Sequence, residues 1–132
     1  IHSTKEVRNL QICSAQRKNL SNEFKKCLTV FSALGDYNRQ QIFIAILEAD
    51  PVGSRVPDIA KKVNLSRPAV SHHIKILREA KLIDMRRVGT MNYYYADAAA
   101  NAWASLKSLI DHIEEVVPNA VDSGYPYIDP DE

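Results

Sequence analysis

The fold of this chain is decided by one segment, NLSRPAVSHHIKILREA, which runs from Asn64 to Ala80. Ser66 is suited to begin a helix because its hydroxyl can accept a hydrogen bond from an unpaired backbone N–H group of the first turn. Pro68 is tolerated in that turn. Apolar residues with helical spacing predict a face turned toward a core: Val70, Ile74 and Leu77. Most of the remaining side chains are hydrogen-bond donors or cations and fall mainly on the other side: Arg67, Ser71, His72, Lys75 and Arg78.

A second short helix is predicted immediately before this one, over residues 56–63. Its apolar residues lie on one side, Pro57 and Asp58 suit a helix start, and Asn64 suits a left-handed helix end. Two short helices joined by a tight turn form a helix-turn-helix unit, in which the second helix enters the major groove of DNA. The segment therefore predicts DNA binding, although a basic helix face is more often simply solvated.

A β-hairpin is predicted immediately after the second helix. Residues 82–87 and 92–96 are rich in strand-forming residues, and Gly89 lies in the loop between them. A basic hairpin in this place is typical of a wing, with Arg86 and Arg87 along the DNA backbone. The alternative is that these arginines only keep an edge strand soluble. The order helix, turn, helix and hairpin favours DNA binding.

Charge is segregated along the chain, although the net charge is only +1. Residues 55–95 contain nine basic and three acidic residues, a net charge of +6. Residues 97–132 contain one basic and eight acidic residues, a net charge of −7. Because phosphate neutralisation supplies most sequence-independent affinity for DNA, the basic segment is the expected contact region.

The motifs resemble those of the arsenic-repressor (ArsR-type, SmtB-like) family of winged-helix regulators. Three segments carry the resemblance, which covers about residues 24–117: FSALGDYNR at 31–39, VSHHIKILREAKLI at 70–83 and GTMNYYY at 89–95. The resemblance implies a mainly α fold with a small β-hairpin, namely a dimeric winged helix-turn-helix. It also implies a homodimeric transcriptional repressor that leaves double-stranded DNA when an effector binds. The expected DNA-binding residues are Ser66, Arg67, Ser71, His72, Lys75, Arg78, Arg86 and Arg87.

The last predicted helix, residues 98–117, contains an apolar seam with the three- and four-residue spacing of paired helices. This α-helical seam consists of Trp103, Leu106, Ile110, Ile113 and Val117. It is predicted to form the homodimer interface, although it could also pack on its own domain. Two-fold symmetry would place two recognition helices roughly 34–36 Å apart, which predicts an inverted-repeat operator.

The N-terminal segment is expected to contain one helix over residues 5–18 and a new helix start at Ser21. A further helix over residues 39–49 is expected to bury Ile42, Ile46 and Leu47, with Phe43 filling in. These patterns predict three regions in the chain. They are an N-terminal helical extension (1–22), a DNA-binding and dimerisation domain (23–117) and an acidic tail (118–132) that is expected to be flexible.

No metal or other cofactor is predicted from the sequence. The first helix of the helix-turn-helix has no cysteine, so it cannot hold a thiolate site, and the start of the last helix offers Asp97 but no histidine. His112 and Glu115 are weak metal candidates. Cys13 and Cys27 are weak redox candidates; on one continuous helix they would lie about 21 Å apart, whereas a break near Asn19 could bring them together.

Two other functional classes compete with that of a sequence-specific DNA-binding regulator. A winged helix can also serve as a protein-interaction module without sequence-specific DNA binding. An enzyme is less favoured because the sequence shows no nucleophile–base pair, glycine-rich phosphate loop or metal-ligand cluster. The chain has no run of apolar residues long enough to span a membrane. A cytoplasmic location is expected.

Overall fold

The structure is a computed structural model that describes residues 4–99, 101–117 and 130–131. Eight elements follow one another in these residues: α1 (Thr4–Lys26), α2 (Leu28–Leu34), α3 (Tyr37–Glu48), α4 (Val56–Val63), α5 (Arg67–Glu79), β1 (Ile83–Val88), β2 (Met91–Ala96) and α6 (Asn101–Val116). None of the helices in the described ranges is long and apolar enough to cross a bilayer. The predicted acidic tail lies almost entirely outside the described residues.

The chain divides into two compact units. The winged-helix unit is Lys26–Leu106, and the terminal unit combines Ile1–Lys25 with Lys107–Glu132. The domain boundaries expected from the sequence remain a prediction.

The helix-turn-helix forms as the sequence predicts, because its local signals agree. Asn64 ends α4 in the left-handed conformation, with φ at 57°, which asparagine tolerates better than most residues. The hydroxyl of Ser66 accepts a hydrogen bond from the N–H of Ala69 at 3.2 Å and so caps α5. Pro68 lies in the first turn of α5, where its missing N–H costs nothing.

The wing is an antiparallel pair in which Ile83 faces Ala96 at the base and Val88 faces Met91 at the tip. A third segment joins its base, since Ser54 and Tyr94 exchange two backbone hydrogen bonds of 2.8 Å. Gly53 is required beside this bridge. Its φ is +115°, and a Cβ at this position would lie 3.0 Å from both the Cβ of Tyr93 and the carbonyl oxygen of Tyr94.

The core of the winged-helix unit draws on α2 to α5, the start of β1 and the beginning of α6. Its fully buried side chains include Ile42, Val70, Leu77 and Leu82. The predicted inward face of α5 is therefore confirmed. Leu47 of α3 is not part of this core, because it is 58% exposed; Ala45 is buried on that helix together with the expected Ile42, Phe43 and Ile46.

The predicted helix start at Ser21 is wrong. α1 continues from Thr4 to Lys26 because it contains no proline or glycine, and serine is accepted within a helix. The chain breaks at Cys27, which is buried and precedes α2. The alternative of a break near Asn19 is not realised, since α1 is continuous there. A bond from Cys27 to Cys13 would therefore have to span about 21 Å of helix. The Cys13 side chain lies outside the described residues.

Candidate nucleic-acid interface

The outer face of α5 is polar and open to solvent. Its buried positions are Val70, Ile74 and Leu77, which point into the core. All five predicted outward side chains of this helix are exposed: Arg67, Ser71, His72, Lys75 and Arg78. The structure therefore brings these residues together on one helix face with three basic groups. Such a face can donate hydrogen bonds to base edges and pair with phosphates.

Two of the predicted DNA-binding residues already have partners in the fold. Ser66 uses its hydroxyl as the α5 cap described above. The Arg78 guanidinium lies 3.6 Å from the carboxylate of Asp84 on β1, and both side chains are about half exposed. An exposed pair of this kind contributes little to stability. It places the Arg78 guanidinium beside Asp84 at the junction of α5 and the wing.

The two wing arginines occupy opposite faces of β1, because neighbouring strand residues alternate. The guanidinium of Arg86 lies 4.6 Å from the ring centre of Tyr95, a cation–π contact. The Nε–H of Arg87 donates to the carbonyl oxygen of Gly89 at 3.2 Å, at the wing tip. Both side chains are exposed, one on each face of the strand.

Sequence reasoning missed the role of Arg39. Its Nε–H donates to the carbonyl oxygen of Ala33 at 2.8 Å, and Nη2 donates to the carbonyl oxygen of Ser32 at 3.2 Å. Its Nη1 lies 3.4 Å from Nδ1 of His73 on α5. Arg39 therefore ties the end of α2 to α5 and helps to fix the orientation of that helix. The order Leu-Gly-Asp-x-x-Arg at 34–39 was a signal in the sequence, but it does not reveal which carbonyl groups the guanidinium contacts.

Two residues beside Arg39, Asp36 and His73, have lowered pKa values. The backbone N–H of Arg39 donates to the Asp36 carboxylate at 3.0 Å, which caps α3 and lowers the pKa of Asp36. Burial lowers the pKa of His73, and the nearby positive charge of Arg39 acts in the same direction. A neutral His73 can accept a hydrogen bond from Arg39. His72 is exposed, and its ring centre lies 5.6 Å from that of His73.

The five residues of the α6 seam do not share one environment. Trp103 packs with its ring centre 5.6 Å from that of Phe43, and Leu106 also packs against the core of the winged-helix unit. Ile110, Ile113 and Val117 are 54%, 38% and 52% exposed. The sequence did not single out Ala102 and Leu109, which are the buried residues of α6. The role of the seam as a dimer interface remains a prediction.

His112 pairs with Glu23 and not with Glu115, the residue considered from the sequence. Its Nδ1 lies 2.7 Å and 2.9 Å from the two carboxylate oxygens of Glu23 on α1. This hydrogen bond raises the pKa of His112. Among the described residues, no three histidine, cysteine or acidic side chains converge in a way that could hold a metal ion. Cys27 is a buried free thiol.

Comparisons with known proteins agree with this geometry. Residues 54–84, which span the helix-turn-helix and the first wing residues, match the family described as "Bacterial regulatory protein, arsR family". The chain is similar to a transcriptional repressor SmtB homolog of Synechocystis, with 35% identity over 64% of this chain and 61% of that protein. It is also 37% identical to the transcriptional repressor SdpR of Bacillus subtilis, over 49% of this chain and 69% of that repressor.

The fold has solved counterparts as well. An ArsR-like transcriptional regulator from Rhodococcus superposes with a TM-score of 0.56 and 24% identity, covering 71% of this chain and 81% of that structure. The predicted winged helix-turn-helix architecture and the resemblance stated from the sequence are thereby confirmed. The chain belongs to the arsR family of bacterial transcriptional regulators, which is built on a DNA-binding winged helix-turn-helix.

Proposed function

We propose that this chain is a sequence-specific DNA-binding repressor that acts as a homodimer and is released from DNA by an effector. The observation that carries the proposal is the exposed polar face of α5 within a segment of net charge +6. In this proposal Arg67, Ser71, His72 and Lys75 enter the major groove. The two similar proteins that are named repressors support the direction of regulation.

The homodimer is proposed from the exposed part of the α6 seam. Ile110, Ile113 and Val117 expose between 38% and 54% of their surface, and a contiguous apolar stripe of this kind is typical of a covered interface. A second copy would cover it with the two-fold symmetry of most homo-oligomers. Because two α5 helices would then bind one duplex, the operator should be an inverted repeat with half-sites about 34–36 Å apart.

Selection from a pool of random duplexes tests the proposal directly. The wild-type protein should enrich an inverted repeat, and its affinity should fall steeply with salt because bound counterions are released. The double variant Ser71→Ala, His72→Ala should lose about 1–3 kcal/mol on the selected duplex for each base contact removed, and little on random DNA. Asn38→Ala, on the exposed part of α3, is the matched control.

Two results would contradict the proposal. If the double variant binds the selected and random duplexes as the wild type does, α5 is not the base-reading helix. If no duplex is enriched and binding depends on a protein partner instead, the winged helix is an interaction module.

A further inference from the structure

The winged-helix unit has a cavity of about 660 Å³ where α5, the base of the wing and the start of α6 meet. Its volume lies within the range of small-molecule sites, roughly 300–1,000 Å³. Ile74, Ile83 and Tyr94 give it an apolar wall, and Lys75, Glu79 and Lys81 are among the charged groups around it. Glu79 and Lys81 are not among the proposed DNA contacts.

The charged groups of the cavity divide into paired and unpaired ones. The Asp84 carboxylate lies against Arg78 and also accepts the N–H of Met85 at 2.7 Å. The Asp97 carboxylate accepts the N–H of Ala99 at 2.9 Å. Within the described part of the chain, three charged side chains of the cavity have neither an ion pair nor a hydrogen bond: Lys75, Glu79 and Lys81. The cavity therefore offers unpaired charges of both signs beside an apolar wall.

One of these unpaired side chains, that of Glu79, occupies an unfavourable place. Glu79 is the last residue of α5, where the negative end of the helix dipole disfavours a carboxylate and favours a cation. Lys81, with a φ of +64°, is the left-handed residue that ends α5: its N–H donates to the carbonyl oxygen of Arg78 at 3.0 Å, and the N–H of Leu82 donates to that of Leu77 at 3.1 Å. Helix stability therefore accounts for the conformation of Lys81 but not for the carboxylate of Glu79.

We infer that this cavity binds a small amphipathic zwitterion, specifically an α-amino acid with a hydrophobic side chain. The ligand carboxylate pairs with Lys81 and Lys75, and its ammonium group pairs with Glu79 at the C-terminal end of α5. The hydrophobic side chain lies against Ile74, Ile83 and Tyr94. A simple anion or a simple cation would leave one of the unpaired charges of the cavity without a partner.

The inference deepens the proposed function and rests on it, because the ligand would be the effector. Ser71 and Lys75 line the cavity and are also proposed DNA contacts. A carboxylate held by Lys75 withdraws that ammonium from DNA. Saturating ligand should therefore weaken operator binding, by about tenfold for a coupling of ordinary size.

Calorimetry of the full chain without DNA measures ligand binding separately from DNA binding. The probes are leucine, methionine, phenylalanine and tyrosine, and the tightest binder is then compared with its amide, which lacks the carboxylate, and its deamino acid, which lacks the ammonium group. Lys81→Met should weaken the amino acid and the deamino acid about tenfold and leave the amide unchanged. Glu79→Gln should weaken the amino acid and the amide and leave the deamino acid unchanged.

Both substituted side chains are exposed, so the variants should fold. Lys107→Met, an exposed lysine of α6 outside the cavity, is the matched control and should bind like the wild type. The inference is overturned if none of the four amino acids binds at millimolar concentration, or if both cavity variants bind the amino acid as the wild type does. Ligand binding with unchanged operator affinity overturns the effector role. A protein that binds the amino acid but no DNA sequence contradicts the proposed function instead.

Discussion

The winged-helix unit and the terminal unit bury their apolar side chains to different extents. In the winged-helix unit, side chains from five helices and the wing form one core, in which Ile42, Val70 and Leu77 are completely buried. In the terminal unit, Ile110 on α6 and Val117 directly after it remain more than half exposed. The first unit has a large shared core, although Leu28, Leu47 and Val88 are also more than half exposed, whereas the exposed apolar residues of the second continue the α6 seam, which a partner could cover.

The units also differ in how their polar groups are used. In the winged-helix unit Arg39 satisfies two backbone carbonyl groups and contacts His73, so a charged side chain holds secondary-structure elements together. In the terminal unit the His112–Glu23 pair joins α1 to α6 in a more exposed setting. The four predictions below test this contrast, from the largest expected effect to the smallest.

The largest effect is expected at the exposed part of the α6 seam. Ile110→Asp leaves a solvated carboxylate in a single chain but a desolvated one in the proposed dimer, where it costs several kcal/mol. We expect a folded 14.9 kDa monomer with much weaker operator binding, because a single half-site contact replaces two. Sedimentation and operator titration measure both outcomes.

Ser108→Asp, on an exposed position of the same helix, is the matched control and should remain dimeric. A wild-type chain that sediments as a monomer at micromolar concentration would remove the dimer and the inverted repeat together. Unfolding of the winged-helix unit should be unaffected by Ile110→Asp, since its core does not include this residue.

The second effect concerns Arg39 in the winged-helix unit. Arg39→Ala leaves the carbonyl groups of Ser32 and Ala33 without their guanidinium donors, which should lower the free energy of unfolding by about 1–3 kcal/mol. Arg39→Lys should recover only part of the loss, because an ammonium cannot reproduce the planar arrangement of donors. Urea unfolding measures both variants. An Arg39→Ala loss no larger than that of Arg17→Ala, an exposed control, would show that the contacts contribute nothing.

The parts of the fold that the sequence predicted correctly depend on local signals. The Ser66 cap, the left-handed Asn64 and the glycine at the wing tip each act within a few residues. The helix-turn-helix and the hairpin could therefore be placed from sequence to within one or two residues.

The errors and omissions involve contacts between distant segments. Ser21 has the chemistry of a helix cap, but the break occurs at Cys27, which is buried in the fold. Leu47 has the right spacing for the core of α3 yet faces solvent. The link from Arg39 to His73 joins residues 34 positions apart, so no local pattern reveals it. Likewise, the cavity at the base of the wing combines residues from three elements and could not be found from any one of them.

The third effect separates the two wing arginines. Arg87 at the wing tip is held only by a backbone carbonyl, whereas Arg86 lies over the Tyr95 ring. We expect Arg87→Ala to lower the slope of log affinity against log salt by about 1, as for one lost phosphate contact. Arg86→Ala should change the slope less, because its guanidinium is already engaged. Titrations of DNA at several salt concentrations provide the slopes; equal changes for the two variants would mean that Tyr95 does not restrain Arg86.

The smallest effect is a difference in the sign of pH dependence between the two units. The pKa of His73 lies below its ordinary value of 6.5, so the unfolded chain binds the proton more readily. Its contribution to stability is therefore present above pH 6.5 and is lost as the pH falls toward the lowered pKa. The pKa of His112 lies above 6.5, so its contribution is present below that pH and is lost as the pH rises through the raised pKa.

Proton NMR titration of the two imidazole rings should place their midpoints on opposite sides of 6.5. His73→Gln keeps an acceptor for Arg39 but removes the titration, so the urea midpoint of this variant should fall less than that of the wild type in acid. His112→Gln should instead reduce the loss of stability above neutral pH. If both midpoints lie below 6.5, the Glu23 hydrogen bond does not stabilise the charged form of His112. If both lie above 6.5, burial does not disfavour the charged form of His73.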